Sequence, residues 1–348
     1  MKRFWTVVLA TSMAVILLTG CGKEEEEVVK PMDEIYALVE TFDYEEALLK
    51  LGELNNDHKH KQEIYRVTGI CHLGLGQYEE AVTALETALQ YNNGFIKAVD
   101  YDINQYLAVA YYKLGRMEDA AKVYSAIVGM KPKNAEMQYL YGVTLLEAGD
   151  YEASKEAFDK AVSLEPTNYE RIAEIYKAFY KFGYGELGLA YVDAALKDET
   201  GINAFDKGRL LYYVGRYSEA ISSLEKAESK KYKDVPLYLG MSYEAMGDYN
   251  YAASIYTAAM EKSTNPALYN QLGLCQTKLR NYEAALEAFQ QGLLCEDKSY
   301  QQSLQYNEAV TYEYLADFAT AKKLMEAYLE DYPNDALAQR EYQFLETR

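Results

Sequence analysis

The residues of this chain that could do chemistry are 3 histidines, 4 cysteines and a large excess of carboxylates. Two histidines fall in Asn55-Asn56-Asp57-His58-Lys59-His60, and an Asp-His-x-His cluster has the ligand types of a metal site. No fourth ligand lies nearby and Lys59 sits between the imidazoles, so the segment reads as a solvated loop and no metal is expected. There is no phosphate-cradling glycine loop, no serine elbow and no cysteine–histidine pairing. Many of the carboxylates begin helices, as in Glu79-Glu80 and Glu118-Asp119, where they complement the helix dipole. No catalytic residue and no cofactor is expected, and the chain does not read as an enzyme.

The formal charge is −19 over 348 residues. Such an acidic body repels nucleic-acid phosphates and anionic lipid, so neither is an expected partner for its surface. It leaves two readings open: a surface kept soluble by its charge, or one that prefers a basic partner. The chain opens with Lys2 and Arg3, followed by a largely apolar run from Phe4 to Leu18. That run is too short for a spanning helix and fits a secretory signal peptide. It ends in Leu18-Thr19-Gly20-Cys21, which resembles the bacterial lipobox. The resemblance implies cleavage before Cys21, acylation of Cys21, and anchoring to the cell membrane on its extracytoplasmic face. Residues 1–20 are then the signal peptide. Residues 21–31, with Glu24 to Glu27 and Pro31, are an acidic tether.

The elements that would position any site are set by a phrase recurring about every thirty-four residues. It reads LGLGQYEEAVTALETAL from Leu73, EAGDYEASKEAFDKAVSLEP from Glu147 and KLRNYEAALEAFQQGL from Lys278. Within 135–168, Met137, Leu140, Tyr141 and Leu145 fall at helical spacing. Gly149 breaks that helix, Asp150 caps the next, and Pro166 stops it. Each unit is therefore an antiparallel helical hairpin that must stack on its neighbours to bury both faces.

The unit resembles the tetratricopeptide repeat. That family favours a small residue at its eighth position, met here by Gly69, Ala108, Gly142, Gly208, Gly240, Gly273 and Ala309. It favours alanine at its twentieth, met by Ala81, Ala120, Ala220, Ala252, Ala285 and Ala321. Close approach of the two helices at these positions, with an aromatic at the twenty-fourth filling the gap between hairpins, accounts for the pattern. The unit at 169–200 diverges, with Tyr176 at the eighth position and Gly188 at the twentieth. The resemblance implies an all-α, right-handed α-solenoid over 32–348: about eight to nine hairpins with a capping helix from 336. Cys71, Cys275 and Cys295 are then buried free thiols. Cys275 and Cys295 share a hairpin but are offset along it by roughly 15 Å, beyond disulfide reach.

In the family the first helices line a concave groove. The matching positions here include Arg66, Tyr112, Tyr139, Lys177, Tyr180, Arg209, Tyr212 and Tyr213, predicted to form one continuous face. Tyrosine and arginine are the residues of binding hot spots, and 36 of 348 residues are tyrosine. Such a face fits an unidentified protein or peptide. The family's carboxylate-clamp positions hold Arg66, Ile70, Gln105, Tyr106 and Val109, so that device is absent. The expected function is a lipid-anchored scaffold or adaptor. The alternative is a glycan-binding or cell-wall-processing protein with an aromatic groove, which a carboxylate pair across the groove would favour.

Overall fold

The computed structural model describes residues 26–54, 60–92, 97–198, 201–228, 231–261 and 263–348. The lipobox with Cys21, His58 and the Asn93-Gly94 linker lie outside them. The described residues hold nineteen helices and no strand. They divide into two compact units, one up to Tyr191 and one from Val192 onward. The first contains α1 (Glu26–Glu40), α2 (Tyr44–Glu53), α3 (Lys61–Gly74), α4 (Tyr78–Gln90), α5 (Ala98–Lys113), α6 (Met117–Met130), α7 (Ala135–Glu147), α8 (Tyr151–Leu164) and α9 (Tyr169–Lys181), and α10 (Gly185–Lys197) runs from it into the second. The second continues with α11 (Ala204–Tyr213), α12 (Tyr217–Leu224), α13 (Val235–Ala245), α14 (Tyr249–Met260), α15 (Pro266–Lys278), α16 (Tyr282–Leu293), α17 (Gln301–Tyr314), α18 (Phe318–Asp331) and α19 (Ala336–Leu345). Within each unit, helices adjacent in sequence pack on one another, the arrangement of an all-α solenoid of stacked hairpins. Helix α1 begins at Glu26, so 26–31 of the expected tether is helical, and its stripe of Met32, Ile35 and Val39 is buried.

The turn inside each hairpin follows from one backbone requirement. At Gly149, φ is +85°, the left-handed conformation that ends a helix. The amide of Asp150 then donates to the Leu145 carbonyl at 2.9 Å. The Asp150 carboxylate accepts from the amide of Ala153 at 3.2 Å and starts α8. Arg280 and Ala316 hold the same turn at φ 63° and 59° with a side chain present, a strained choice.

The core is built around a small residue lying under a large one. A Cβ added at Gly142 would come within 2.6 Å of the Phe158 ring, and at Gly69 or Gly208 within 2.5 Å of Leu85 or Leu224. Gly240 and Gly273 face Tyr256 and Phe289 in the same way. The residue at the twenty-fourth position therefore sits on the eighth of its own hairpin. It also packs on the next hairpin, as expected: Phe158 meets the Phe179 ring edge-on, centroids 5.2 Å apart. Phe158, Tyr256, Leu85 and Leu224 are fully buried. At the twentieth position of the third full unit, Ser154 replaces alanine and donates to the Gly142 carbonyl at 2.8 Å. The divergent unit exchanges the roles: a Cβ at Gly188 would come 2.9 Å from the Tyr176 Cα, so the small residue on the second helix admits the first helix's backbone.

Two stability changes are expected. Gly142→Leu drives a side chain into Phe158 and should cost ~1–3 kcal/mol in urea unfolding. Ala316→Gly removes left-handed strain and should raise stability by about 1 kcal/mol. An unchanged midpoint in either variant would contradict the packing described.

Candidate functional site

Close packing within hairpins leaves the outward faces of the first helices to meet one another, and here polar side chains gather. In the first unit the contacts run from helix to helix. The Tyr36 hydroxyl donates to Glu63, linking α1 to α3. Gln62 Nε2 donates to Asp100 Oδ1 at 2.7 Å, and Arg66 pairs with Asp102, linking α3 to α5. Gln105 Nε2 approaches Met137 Sδ at 3.5 Å, and the Tyr112 hydroxyl bonds to Glu147, linking α5 to α7. Arg171 pairs with Glu136, and Lys181 Nζ reaches Glu147 Oε1 at 3.1 Å, linking α7 to α9.

Five of the eight predicted groove residues belong to this unit. Arg66 lies between Glu63, at 2.8 Å, and Asp102. Burial opposes its charge, but the two carboxylates outweigh burial and hold it above the usual guanidinium value. Burial raises the Asp102 carboxyl even though Arg66 pulls it down. Burial and Glu147 push the Tyr112 hydroxyl up. Tyr139 lies beneath the Arg171 guanidinium, 4.2 Å from its ring centre, a cation–π contact. Lys177 is exposed, near Glu174. Tyr180 is 68 % exposed and stands beside Tyr176, its ring 5.9 Å away, leaning toward Gly185 at the turn.

The other three lie in the second unit. Arg209 is buried, pairs with Asp206 at 2.8 Å and covers Phe205. The Tyr213 and Tyr238 hydroxyls meet at 2.7 Å, joining α11 to α13. Tyr212 packs against Tyr213, Tyr217 and Tyr238, and burial pushes its hydroxyl up to about 12. Farther along, Gln271 Nε2 donates to Glu244 at 3.3 Å and Asn307 Nδ2 to Asn270 at 3.0 Å. At the last first helix, burial and then the neighbouring Glu341 push the Glu313 carboxyl up to about 8.

Arg171, Lys181, Glu147, Asp102 and Glu136 were missed as wall residues. A signal was present, because the paired charges of opposite sign stand 36, 35 and 34 residues apart, about one repeat.

The three described cysteines are not poised as nucleophiles. Cys71, Cys275 and Cys295 are buried and free, and burial pushes the Cys71 thiol up to about 12. His72 is held by Gln77 at 2.6 Å. Among the described residues no group of three or more His, Cys, Asp or Glu could hold a metal ion. An open cleft of about 520 Å³ between α4, α5 and α6 is lined by Leu89, Leu107 and Val123 with Glu86 and Lys122. Within it the Tyr111 hydroxyl donates to Glu86 and fastens α5 to α4.

Family models of the tetratricopeptide repeat match residues 72–144, 135–168, 237–301 and 303–335, together more than half of the chain. The chain belongs to the tetratricopeptide repeat family. It is 24% identical over 237 residues to the BBSome complex member BBS4 of Bos taurus, covering 66% of this chain and 44% of that protein. It is 26% identical over 144 residues to protein FlbA of Caulobacter vibrioides, covering 38% and 23%. It thus spans less than half the length of these relatives. A tetratricopeptide repeat protein crystal structure from Parabacteroides merdae superposes with a TM-score of 0.51 at 17% identity, covering 83% of this chain and 99% of that one. This likeness shows the shared fold.

Arg171→Met should leave Glu136 and Glu174 facing each other half-buried and uncompensated, costing ~1–3 kcal/mol. Adding Glu136→Gln should recover part of the loss. A double-mutant cycle in urea with no coupling would show that the arginine only packs on Tyr139.

Proposed function

We propose that this tetratricopeptide repeat protein is a non-enzymatic scaffold that binds a protein or peptide along its first-helix walls, held at the cell envelope by lipid on Cys21. The wall carries this reading. Its tyrosines, amides and paired charges are fixed by neighbours on adjacent hairpins, so they are preorganised, and ordered aromatic and polar groups bind at low entropic cost. BBS4 is by its name a member of a complex, in keeping with a role in assembly. The anchoring half rests on Lys2, Arg3, the short apolar run and Leu18-Thr19-Gly20-Cys21. Among the described residues no helix is long and apolar enough to cross a membrane, so a lipid would be the means of attachment for this part of the chain.

Two measurements test the halves separately. Cys21→Ala should leave unprocessed precursor and abolish acyl labelling; normal processing with no label on the wild type would remove the anchor. Tyr180→Ala with Tyr212→Ala should weaken the partner captured by in-cell crosslinking about thirtyfold, the equivalent of ~2 kcal/mol. Circular dichroism would verify that the variant is folded. Undiminished recovery would move the binding surface off the first-helix walls.

A further inference from the structure

The first unit answers its wall carboxylates from within. Asp102 is met by Arg66, Glu136 by Arg171 and Glu147 by Lys181, each cation about one repeat away. Glu244 in the second unit breaks this pattern. It is half-buried and the penultimate residue of α13, as Tyr212 is of α11 one repeat earlier. Among the described residues no lysine or arginine pairs with it, and the donors that reach it are neutral.

Those donors come from two sides. The Tyr256 hydroxyl arrives from α14, across the same hairpin, where its ring lies over Gly240. Gln271 Nε2 arrives from α15 on the next hairpin at 3.3 Å. Both end on Oε1, and one carboxylate oxygen has room for about two donors. Neither contact uses Oε2. The buried Cys275 thiol lies beside the carboxyl and is a weak donor. Burial raises the Glu244 carboxyl above the usual carboxylate range, and the donors, Tyr256 first, offset part of that. A half-buried carboxylate held only by neutral groups lacks what its first-unit counterparts have, a positive charge.

We propose that Glu244 is a subsite for a lysine side chain of the bound partner, which brings from outside the cation that Arg66, Arg171 and Lys181 provide inside the first unit. This rests on the scaffold reading above and names the chemistry of its partner, a peptide segment carrying a lysine. Lysine fits better than arginine. With Oε1 taken, the two oxygens cannot face a guanidinium fork together, whereas an ammonium needs only Oε2. Tyr212, packed on Tyr213 and Tyr238, stands on the preceding first helix and feels the Glu244 charge. A tyrosine ring suits both the apolar stem of a lysine and its ammonium. The formal charge of −19 draws a basic segment toward the wall, the second of the two readings that the composition left open.

The test selects peptides from a randomised phage-displayed dodecapeptide library on the full chain and measures the winners by calorimetry. The selected peptides should share a lysine. Replacing that lysine by glutamine should weaken binding to the wild type about tenfold or more, the range of a charge-assisted bond, and should leave binding to Glu244→Gln unchanged. Glu244→Gln keeps an acceptor for Tyr256 and Gln271, so the wall stays built. If it does not fold, Glu244→Asp serves: the charge is drawn back by one methylene, and the lysine effect should shrink. Glu283→Gln, at an exposed carboxylate on α16, removes the same unit of charge and should leave the lysine effect at full size. A lysine effect that persists in Glu244→Gln, or selected peptides that share no lysine, would overturn the subsite and leave the scaffold in place. Failure to select any peptide would remove the scaffold reading and the subsite with it.

Discussion

The contact on which the rest depends is the van der Waals overlap that a glycine avoids. Where Phe158 rests on Gly142, its ring takes the space that a Cβ at 142 would need. The requirement concerns volume, not identity, and it can be met from either helix. Gly188 beneath Tyr176 meets it from the second helix in the unit whose first helix lost its small residue. Each hairpin is thereby closed by its own pair of residues, and stacking adds apolar area on the outer sides of the pair. The polar wall follows from this closure. A first helix already packed on its partner and its neighbours has one face left, and that face carries the charges.

How those charges are used differs between the units. In the first, arginines and a lysine bind carboxylates one repeat away, so each ion pair also ties two hairpins together. The pairs are half-buried, which makes them costly to break singly and modest in net stabilisation. In the second, past Arg209 and Asp206, two ties are made by neutral groups, Tyr213 to Tyr238 and Asn307 to Asn270, while Gln271 donates to the Glu244 carboxyl. A wall of neutral donors and acceptors pays less desolvation when a partner covers it than a wall of ion pairs does. The first unit's cations are already answered by its own carboxylates. A ligand at Arg66 therefore meets a cation already paired with Glu63 and Asp102.

The hairpins were legible because their determinants are local: a glycine at the turn, an aspartate after it, a small residue at fixed spacing. Asp150 and Gly149 do what their types require regardless of what surrounds them. The second contact of the twenty-fourth residue was not legible, because spacing along one helix does not show that Phe158 covers Gly142 in its own hairpin as well as meeting Phe179 in the next. Arg171 was missed because groove positions were carried over by position alone, whereas its role comes from Glu136 on the preceding repeat. Opposite charges one period apart would have exposed it.

The abundance of tyrosine follows from the same geometry. A first-helix residue at the edge of the wall must fill space against the adjacent hairpin and end in a group that tolerates water. Phenylalanine satisfies the first demand and glutamine the second, but tyrosine satisfies both. Tyr112 and Tyr213 illustrate it: rings half-buried, hydroxyls bonded to Glu147 and Tyr238 on the next first helix. Packing and binding are therefore not rival explanations for such residues. A ring immobilised by its neighbours has already lost the rotamer entropy that a ligand would otherwise have to remove. Tyr180, with two-thirds of its surface exposed, lacks that constraint and keeps the adaptability of a rim residue. Packed tyrosines along the wall and an exposed one at its edge suit a surface that holds a chain whose sequence it reads only in part.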